Sequence, residues 1–254
     1  MSSKLTCLVT GTTRGIGRGL VEAYLSIPGT TVIATVRDPH HSTIEILHGI
    51  AKEAGSSLIV VQMDAGSSKS IVDAFKNITE SHGIQSLDVV IANAGVGGMI
   101  DSLTETPVSL IQNYIDVNAY GPLELFKSAL PLLRKSAQPK FCTISSLAGS
   151  VNAMNTMFPT APYGASKALV NYFIRWLAHE NEDVITWTMH PGLVATDMGN
   201  SAVQDLIQAG VDANAFTPIS VEDSVKGIAK VISGASKEKT SGRFLGHDGV
   251  ELPW

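Results

Sequence analysis

The 254-residue sequence contains few cysteines, few aromatic residues and few charges. Its two cysteines, Cys7 and Cys142, each lie inside an apolar run that is typical of a buried strand. We therefore expect both to be small core residues, and we expect no disulfide. Hydrophobic residues make up 44% of the chain and charged residues 16%, which is typical of a globular protein with a sizeable core.

An excess of positive charge is also missing. The formal net charge is −5, and the lysines and arginines are spread along the chain rather than clustered. This distribution argues against binding of nucleic acid or anionic membranes. No apolar run reaches membrane-spanning length and the first residues form no signal-peptide pattern, so we expect a cytoplasmic protein without membrane association. The histidines show no metal-ligand spacing, and we expect no metal.

Short β-branched runs alternate with longer helical stretches along the whole chain. The runs are apolar throughout rather than alternating, which predicts a parallel sheet covered by helices on both faces. We therefore predict one α/β domain over residues 1–254, a Rossmann-type doubly wound sheet of about seven strands. The predicted strands are residues 5–10, 31–37, 57–63, 87–92, 140–145, 184–190 and 243–245. The predicted helices are residues 15–26, 42–54, 67–82, 108–135, 161–180 and 221–233.

Two stretches show neither pattern clearly. Residues 147–162 and 195–218 each follow the carboxyl end of a predicted strand, where open α/β sheets bind ligands. We predict that both are substrate loops.

A glycine-rich turn joins the first strand to the first helix. Its sequence, Thr-Gly-Thr-Thr-Arg-Gly-Ile-Gly over residues 10–17, allows positive φ angles and close approach of the backbone to a pyrophosphate. The start of the next helix adds unpaired N–H groups and a favourable dipole. The GxxxGxG spacing at this position predicts dinucleotide binding rather than a plain loop. The predicted binding residues are Thr10, Gly11, Thr13, Arg14, Gly15, Ile16 and Gly17.

Two arginines favour NADPH as the dinucleotide. Arg37 ends the second strand, where an NAD-binding protein would offer an acidic residue to the ribose, and the residue before it is Val36. Arg14 adds a second positive charge beside the same pocket. The alternative is that both are surface arginines and that Asp38 neutralises Arg37.

Tyr163 and Lys167 are four residues apart in a predicted helix, so they share one face. An ammonium group close to the phenol would lower the phenol pKa from its ordinary value of ~10. The phenol can then protonate a developing alkoxide or deprotonate an alcohol. Alone, the pair can equally be an exposed helical contact.

Five motifs occur in the order and at the sheet positions of the short-chain dehydrogenase/reductase family, which the sequence resembles over essentially its whole length. They are residues 10–17, Asn93-Ala94-Gly95, Ser146, Tyr163-x-x-x-Lys167 and Pro191-Gly192. Within that family, the sequence is similar to fungal norsolorinic-acid-ketoreductase-like and sniffer-type carbonyl reductases, partly through residues 240–244 and 252–254. The resemblance implies a nicotinamide cofactor and a carbonyl substrate.

The resemblance implies four catalytic residues. Tyr163 would donate the proton to the carbonyl oxygen, and Lys167 would bind the nicotinamide ribose while lowering the phenol pKa. Ser146 would hold the substrate oxygen, with the adjacent Ser145 as the alternative hydroxyl. Asn118 would hold a water next to the lysine in a proton relay, or else bond its own helix backbone. The loop between Ser146 and Tyr163 is longer than is common in the family.

The resemblance also extends the cofactor site to three further strand ends. Asp64 matches an adenine contact, although an Asp at a strand end is often a cap. The segment after the fourth strand would stabilise the sheet and line the adenosine ribose. The segment after the sixth strand would hold the nicotinamide carboxamide through Val194, or else form a plain proline-glycine turn. The implied cofactor residues are Asp64, Ala65, Asn93, Ala94, Gly95, Tyr163, Lys167, Pro191, Gly192, Val194 and Thr196.

The expected function is NADPH-dependent reduction of a ketone or aldehyde. The substrate end is apolar and rich in methionine, which suits a bulky or aromatic carbonyl compound, although ordinary loop packing gives the same composition. The expected substrate contacts are Val96, Gly97, Met99, Ser146, Met154, Met157, Phe158, Tyr163 and Met198. Two alternatives remain: an enzyme that reduces an imine or assists a cyclisation at the same site, and a non-catalytic regulator that senses the dinucleotide.

The helices over residues 108–135 and 161–180 commonly form the interface between subunits in this family, so the resemblance implies a homodimer or homotetramer. His190 precedes the proline-glycine turn, but it does not indicate a hydrolase with Asp197 and Ser146, because no GxSxG motif surrounds either serine.

Overall fold

The chain folds around one parallel sheet. The computed structural model describes residues 4–98, 103–154, 159–208, 210, 212 and 217–254. The strands are β1 (Thr6–Thr10), β2 (Thr31–Val36), β3 (Ser57–Gln62), β4 (Val89–Ala92), β5 (Lys140–Ile144), β6 (Ile185–His190) and β7 (Phe244–Gly246). They form a seven-stranded sheet in the order β3-β2-β1-β4-β5-β6-β7, with every neighbouring pair parallel. The predicted doubly wound sheet is therefore confirmed.

Helices cover the sheet on both faces. They are α1 (Gly15–Leu25), α2 (Thr43–His48), α3 (Ser68–Lys76), α4 (Val108–Ile115), α5 (Gly121–Leu133), α6 (Ala161–Glu180), α7 (Asp197–Gln208), α8 (Val221–Ser233) and α9 (Lys237–Thr240). Two π-helical turns extend them: Asn77–Ser81 continues α3, and Asp116–Tyr120 joins α4 to α5.

The two faces of the sheet have separate cores. On one face, Leu25 of α1 and Ile228 of α8 are fully buried in the same cluster as Val9 of β1. On the other, Phe126 of α5 and Ile174 of α6 belong to a second buried cluster. Because neither face meets solvent, the strands other than β3 are buried at nearly every position, and most of their residues are apolar. Both cysteines are buried and free.

The topology places a crevice at the carboxyl ends of β1 and β4. Strand β1 pairs with both β2 and β4, so successive crossovers leave in opposite directions at this point. Open parallel sheets bind their ligands at such a position. The glycine turn follows β1 and Asn93 follows β4, so the sheet brings two predicted motifs together here.

One predicted helix is too long. The helix expected over residues 42–54 ends at His48, because Gly49 follows and the ammonium of Lys52 donates to the carbonyl oxygens of His48 and Ile50, at 3.2 Å each. These bonds satisfy carbonyl groups that have no partner at the end of a helix.

The prediction of a loop over residues 195–218 is also wrong in part, because this stretch contains α7. The Thr196 Oγ1 accepts the N–H of Gly199 at 3.2 Å, as the residue before a helix commonly does. The other predicted loop begins with a 3₁₀ turn, Leu147–Gly149. Among the described residues, no helix is both long and apolar enough to cross a membrane.

Candidate active site

The glycine turn requires glycine for steric reasons. Gly11 and Gly15 have φ angles of +69° and +55°, which side chains strongly disfavour. A Cβ atom on Gly11 would lie 2.8 Å from the Cα of Ala94, and one on Gly17 would lie 2.1 Å from the carbonyl oxygen of Gly11. The turn therefore keeps its backbone exposed at the start of α1 and close to the end of β4.

The N-terminus of α1 suits the diphosphate of a dinucleotide. Arg14 occupies the N-cap position without a side-chain cap bond, and the first turn has no acidic residue. By contrast, Ser67 caps α3 by accepting the N–H of Ser70. The first N–H groups of α1 thus remain available to an anion, and the helix dipole favours one there. The residues present therefore fit the predicted cofactor.

Thr10 and Asn93 bind the ends of β1 and β4 together. The Asn93 Nδ2 donates to the carbonyl oxygens of Thr10 and Gly11, at 2.8 and 3.2 Å. The Thr10 Oγ1 accepts the N–H groups of Asn93 and Ala94, at 3.0 and 2.8 Å. These four bonds fix the shape of the crevice, which is the sheet-stabilising role that the resemblance implied for Asn93.

The two predicted phosphate-binding arginines have different surroundings. The guanidinium of Arg14 forms an ion pair with Asp197 at 2.6 Å, and both side chains are largely exposed. Arg37 is exposed at the end of β2. Asp38 accepts the backbone N–H of His40 at 2.9 Å. Arg14, the predicted second cation of the pocket, thus has its charge partner on α7.

Asp64 organises the segment after β3. Its Oδ1 accepts the N–H of Gly66 at 2.9 Å, and its own N–H donates to the Ser70 hydroxyl at 2.9 Å. The side chain therefore acts as a local cap, which was the alternative to an adenine contact. Ala65, Thr10 and Ala94 line one small cavity.

Tyr163 and Lys167 lie on one face of α6, as predicted. The Nζ of Lys167 is 5.7 Å from the centroid of the Tyr163 ring and donates to the carbonyl oxygen of Ile144 at 2.9 Å. Burial lowers the pKa of Lys167 to about 8. Burial also raises the pKa of Tyr163 to about 12, against a hydrogen bond with Ser146 that lowers it, while Tyr114 raises it further. The prediction of a lowered phenol pKa is therefore wrong here, because desolvation dominates and the phenol keeps its proton at neutral pH.

Ser146, rather than Ser145, meets the phenol. Ser146 follows β5 in an extended conformation, and its side chain lies close enough to the Tyr163 phenol to lower the phenol pKa. Its Oγ also accepts the N–H of Ala148 at 3.2 Å. The Ser145 hydroxyl is buried and has no hydrogen-bond partner among the described residues. The structure thus places one hydroxyl beside the Tyr163 oxygen, where a carbonyl oxygen of a substrate could meet both.

Asn118 uses its side chain to hold the loop after β4. Its Oδ1 accepts the N–H of Val96 at 2.9 Å, and its Nδ2 donates to the Val96 carbonyl oxygen at 2.8 Å and to the Ser166 hydroxyl at 3.0 Å. Asn118 is 1% exposed and lies in the π-helical turn between α4 and α5. A Cβ atom on Gly95 would lie 3.1 Å from the Asn118 Oδ1 and 3.6 Å from the Lys167 Nζ, so Asn118 is close to the lysine. Its side chain therefore does not bond its own helix backbone, which was the alternative.

Three consecutive residues at the start of α7, Thr196, Asp197 and Met198, contact residues across the crevice. A Cβ atom on Gly15 would lie 3.1 Å from the Thr196 Cγ2, and one on Gly97 would lie 2.9 Å from the Met198 Sδ. Between them, Asp197 pairs with Arg14. Gly97 also lies beside the edge of the Tyr163 ring, so Met198 and Tyr163 meet at this glycine.

The segment between β6 and α7 contains Pro191 and Gly192 and lies at the carboxyl end of β6. Gly192 has a φ of +89°, and Val194 forms a bridge with Ile219. The Pro191 carbonyl oxygen accepts the hydroxyl of Ser224 at 2.7 Å. A proline-glycine turn, the alternative to a carboxamide contact, is thus present, and α8 and the residues just before α8 fix it; the carboxamide contact of Val194 stays a prediction.

The predicted substrate residues differ in how far they meet the site. Val96 is half-buried and bound to Asn118, whereas Met154 is 71% exposed. Met99, Met157 and Phe158 lie outside the described residues. No group of three or more metal-ligating side chains occurs within the described part of the chain.

Sequence reasoning missed two contacts with the site. Tyr114 of α4 packs edge-on against Tyr163 with ring centroids 6.4 Å apart, and its position on a buried helix face gave no distinct signal. The backbone oxygen of Trp254 accepts the N–H of Asn152 at 3.0 Å, while the Trp254 ring lies under the guanidinium of Arg175. The C-terminal tail thus braces the loop after Ser146.

The fold and this constellation define an oxidoreductase that binds a nicotinamide dinucleotide. The family model for short chain dehydrogenases matches residues 5–207, so the chain belongs to this family.

Two fungal relatives show the same family membership over almost the full chain. The short chain dehydrogenase gsfK of Penicillium aethiopicum is 50% identical over 98% of this chain and 99% of its own length. The norsolorinic acid ketoreductase of Aspergillus parasiticus is 37% identical over 97% of this chain and 90% of its own length.

Solved structures agree with the fold. An NADPH-bound carbonyl reductase from chicken fatty liver has a TM-score of 0.84 and 27% identity, covering 98% of each chain. The carbonyl reductase Sniffer of Drosophila melanogaster, with a TM-score of 0.83 and 24% identity over 99% of each chain, shows the fold alone.

Proposed function

We propose that the protein reduces a bulky or aromatic ketone or aldehyde with NADPH. The observation that carries this proposal is the closeness of the Ser146 hydroxyl to the Tyr163 phenol, on the face of α6 that also bears Lys167. These groups lie at the carboxyl edge of the sheet, next to the glycine turn. Catalytic acids and their partners are expected to converge there in an open α/β fold.

Each residue has a role that follows from its chemistry. A bound dinucleotide would supply the hydride. The hydroxyls of Ser146 and Tyr163 both face the place where the substrate oxygen gains negative charge, and Tyr163 donates the proton. Its raised pKa keeps the phenol protonated before the reaction. The Lys167 ammonium donates to the Ile144 carbonyl oxygen and would also hold the ribose hydroxyls of the cofactor.

Asn118 supports the proton donor Tyr163 from the loop after β4. Its side chain holds Val96 and Ser166 and lies next to the Lys167 ammonium, with Gly95 between them. We propose that it keeps the loop after β4 open for a water that passes protons to Lys167.

The preference for NADPH is supported by positive charge and by a relative. Arg14 and Arg37 follow β1 and β2, next to the expected adenosine ribose, and a 2′-phosphate would attract both. The chicken carbonyl reductase that shares the fold is described with NADPH bound. When the cofactor binds, the Arg14 guanidinium would leave Asp197 and pair with the 2′-phosphate.

The substrate class is supported by the site and by the relatives. Met198 covers the outer edge of Tyr163, and Val151 and Met154 are 71% exposed in the loop after β5, so the mouth is apolar. Several relatives are named norsolorinic acid ketoreductases, and this name describes reduction of a ketone in norsolorinic acid. We propose a substrate of similar chemistry and a role in secondary metabolism.

A panel of carbonyl compounds tests the proposal. NADPH oxidation is followed with aromatic and polyketide-like ketones, with aldehydes and with cyclic imines. Turnover of aromatic ketones is expected. Turnover of imines alone would favour the imine reductase alternative, and NADPH binding without any turnover would favour the regulator.

We also propose that two copies of the chain associate through α5 and α6. Tyr172 and Trp176 are 64% and 53% exposed and stack on each other, with ring centroids 6.2 Å apart. Together with Leu123 and Phe173 they line a groove of about 230 Å³. Adjacent exposed aromatic side chains are costly in water and typical of interfaces. A twofold axis through this face would bury both copies of the groove.

A further inference from the structure

The pairing of β5 with β6 stops just before the catalytic serine. The Ser145 N–H donates to the Met189 carbonyl oxygen at 2.6 Å, and the next rung of this parallel ladder would use residue 191. Residue 191 is Pro191, which has no N–H to donate. Its carbonyl oxygen is taken by the Ser224 hydroxyl. In a continued ladder the Leu147 N–H would donate to that oxygen. This N–H therefore needs another acceptor.

His190 supplies this acceptor from its side chain. The Leu147 N–H donates to the Nδ1 of His190 at 3.2 Å. Because a backbone N–H can only donate, this Nδ1 carries no proton, and the neutral ring is protonated at Nε2. The imidazole of His190 thus extends the ladder by one bond beyond the point where the proline ends it.

We propose that His190 is a positioning residue for Ser146. The other bonds of the turn, from the N–H groups of Ala148 and Gly149 to Ser146 itself, set the internal shape of the turn. The bond from Leu147 to His190 ties the peptide that follows Ser146 to the end of β6, and so fixes the turn relative to the sheet. The Ser146 hydroxyl then keeps its direction toward Tyr163. This inference rests on the proposed function.

The surroundings of His190 keep its ring neutral. Burial lowers the pKa of His190 to about 4; His247 lowers it further, and Asp248 acts in the opposite direction. Both neighbours follow β7. From α8, Ser224 and Gly227 pack against Pro191 and His247, and neither carries a charge. The Nδ1 therefore stays free to accept the Leu147 N–H throughout the neutral pH range.

Two substitutions at His190 test whether the hydrogen-bond acceptor or the bulk of the ring matters. His190→Asn keeps an oxygen near the position of Nδ1, whereas His190→Leu keeps the bulk and removes the acceptor. We expect His190→Asn to retain kcat for ketone reduction within about threefold, and His190→Leu to lose at least about tenfold, because small misplacement of a catalytic group is costly. The Kd for NADPH should stay within about twofold in both variants. Thermal unfolding of each variant shows whether it is folded.

An NMR measurement tests the bond without relying on turnover. In protein labelled with ¹⁵N-histidine, the His190 signal is identified by its absence from His190→Asn. We expect the tautomer with a proton on Nε2 and a bare Nδ1, and we expect it to persist down to about pH 4 to 5.

The outcomes distinguish this inference from the proposed function. A protein that reduces no carbonyl compound contradicts the proposed function, while the NMR result still decides whether His190 accepts the Leu147 N–H. Equal kcat values for His190→Leu and wild type, or a proton on Nδ1, overturn the role of His190 even in an active reductase. Equal losses in His190→Asn and His190→Leu overturn it as well, because the acceptor is then irrelevant.

Discussion

Gly149 lies directly against the backbone of Lys167. A Cβ atom on residue 149 would be 2.7 Å from both the carbonyl carbon and the Cβ of Lys167. Gly164 of α6 makes a similar contact with the serine turn, since a Cβ atom on residue 164 would lie 2.6 Å from the Ala148 carbonyl oxygen. The serine turn and α6 thus interlock through two glycines, and this contact sets the distance between Ser146 and Tyr163.

Replacement of Gly149 by alanine should separate these two elements. We expect Gly149→Ala to lower the free energy of unfolding by about 1–3 kcal/mol, because the added methyl group has no space, and to lower kcat. Denaturant unfolding and steady-state kinetics measure the two effects. Gly234→Ala is the matched control, because a Cβ atom on residue 234 would meet the Lys230 carbonyl oxygen at an ordinary 3.5 Å. Similar effects of the two substitutions would contradict the interlocking role.

The ion pair between Arg14 and Asp197 should compete with the 2′-phosphate of NADPH. We expect Asp197→Asn to lower the Kd for NADPH by about two- to fivefold, since an exposed ion pair is weak, and to leave the Kd for NADH unchanged. Arg14→Gln should raise the Kd for NADPH alone. Fluorescence titration with both cofactors measures these values.

Arg134→Gln serves as the control, because it breaks another exposed ion pair, with Asp183, away from the crevice. Equal changes in the Kd values for NADPH and NADH in Arg14→Gln would show that Arg14 does not bind the 2′-phosphate.

Lys167 should give the protein a defined pH dependence of stability. Its pKa is about 8 in the fold, below the ordinary value of 10.5, so the unfolded chain binds the extra proton between these two values. The contribution of Lys167 to the free energy of unfolding therefore rises as the pH increases from about 8 to about 10.5. The full change is about 3 kcal/mol.

Comparison with Lys167→Met isolates this contribution. The difference in the free energy of unfolding, wild type minus variant, should be flat below pH 8 and should rise above it. Denaturant unfolding at several pH values measures it. A difference that stays constant up to pH 10 would mean that Lys167 keeps its ordinary pKa in the fold.

The aromatic face of α6 should control association. Wild-type protein is expected to sediment as a dimer or a larger oligomer, and Trp176→Glu is expected to sediment as a monomer. Ile46→Glu on α2, where Ile46 is 50% exposed, should leave the assembly unchanged. A monomeric wild type, or an oligomer that survives Trp176→Glu, would contradict an interface at this face.

The parts of the fold that follow from local pattern could be predicted from the sequence. Strands buried on both faces are mostly apolar, and the glycines of the first turn have no sterically acceptable substitute at Gly11 and Gly17. The spacing of Tyr163 and Lys167 also determined their shared helix face. The start of α7 could have been found, because Thr196 followed by Asp197 is a typical helix N-terminus.

Other parts depend on contacts that no local pattern records. The burial that sets the pKa of Tyr163 comes from the whole surrounding fold, and sequence spacing shows only the neighbouring lysine. Asn118 holds Val96 because the π-helical turn aims its side chain at the loop after β4. His190 meets Leu147 because Pro191, at the end of the next strand in the chain, interrupts the ladder, and that consequence appears only when β5 and β6 are paired.

The most direct test of the account is reduction of an aromatic ketone by NADPH carrying deuterium at the transferred position, with wild type, Tyr163→Phe and Tyr120→Phe. The Tyr120 side chain is 44% exposed, so its substitution controls for the loss of a phenol hydroxyl elsewhere. We expect deuterium on the carbinol carbon of the product, and a kcat for Tyr163→Phe at least about a hundredfold below those of wild type and Tyr120→Phe. An alcohol without deuterium, or equal kcat values in all three proteins, would contradict hydride transfer with proton donation by Tyr163.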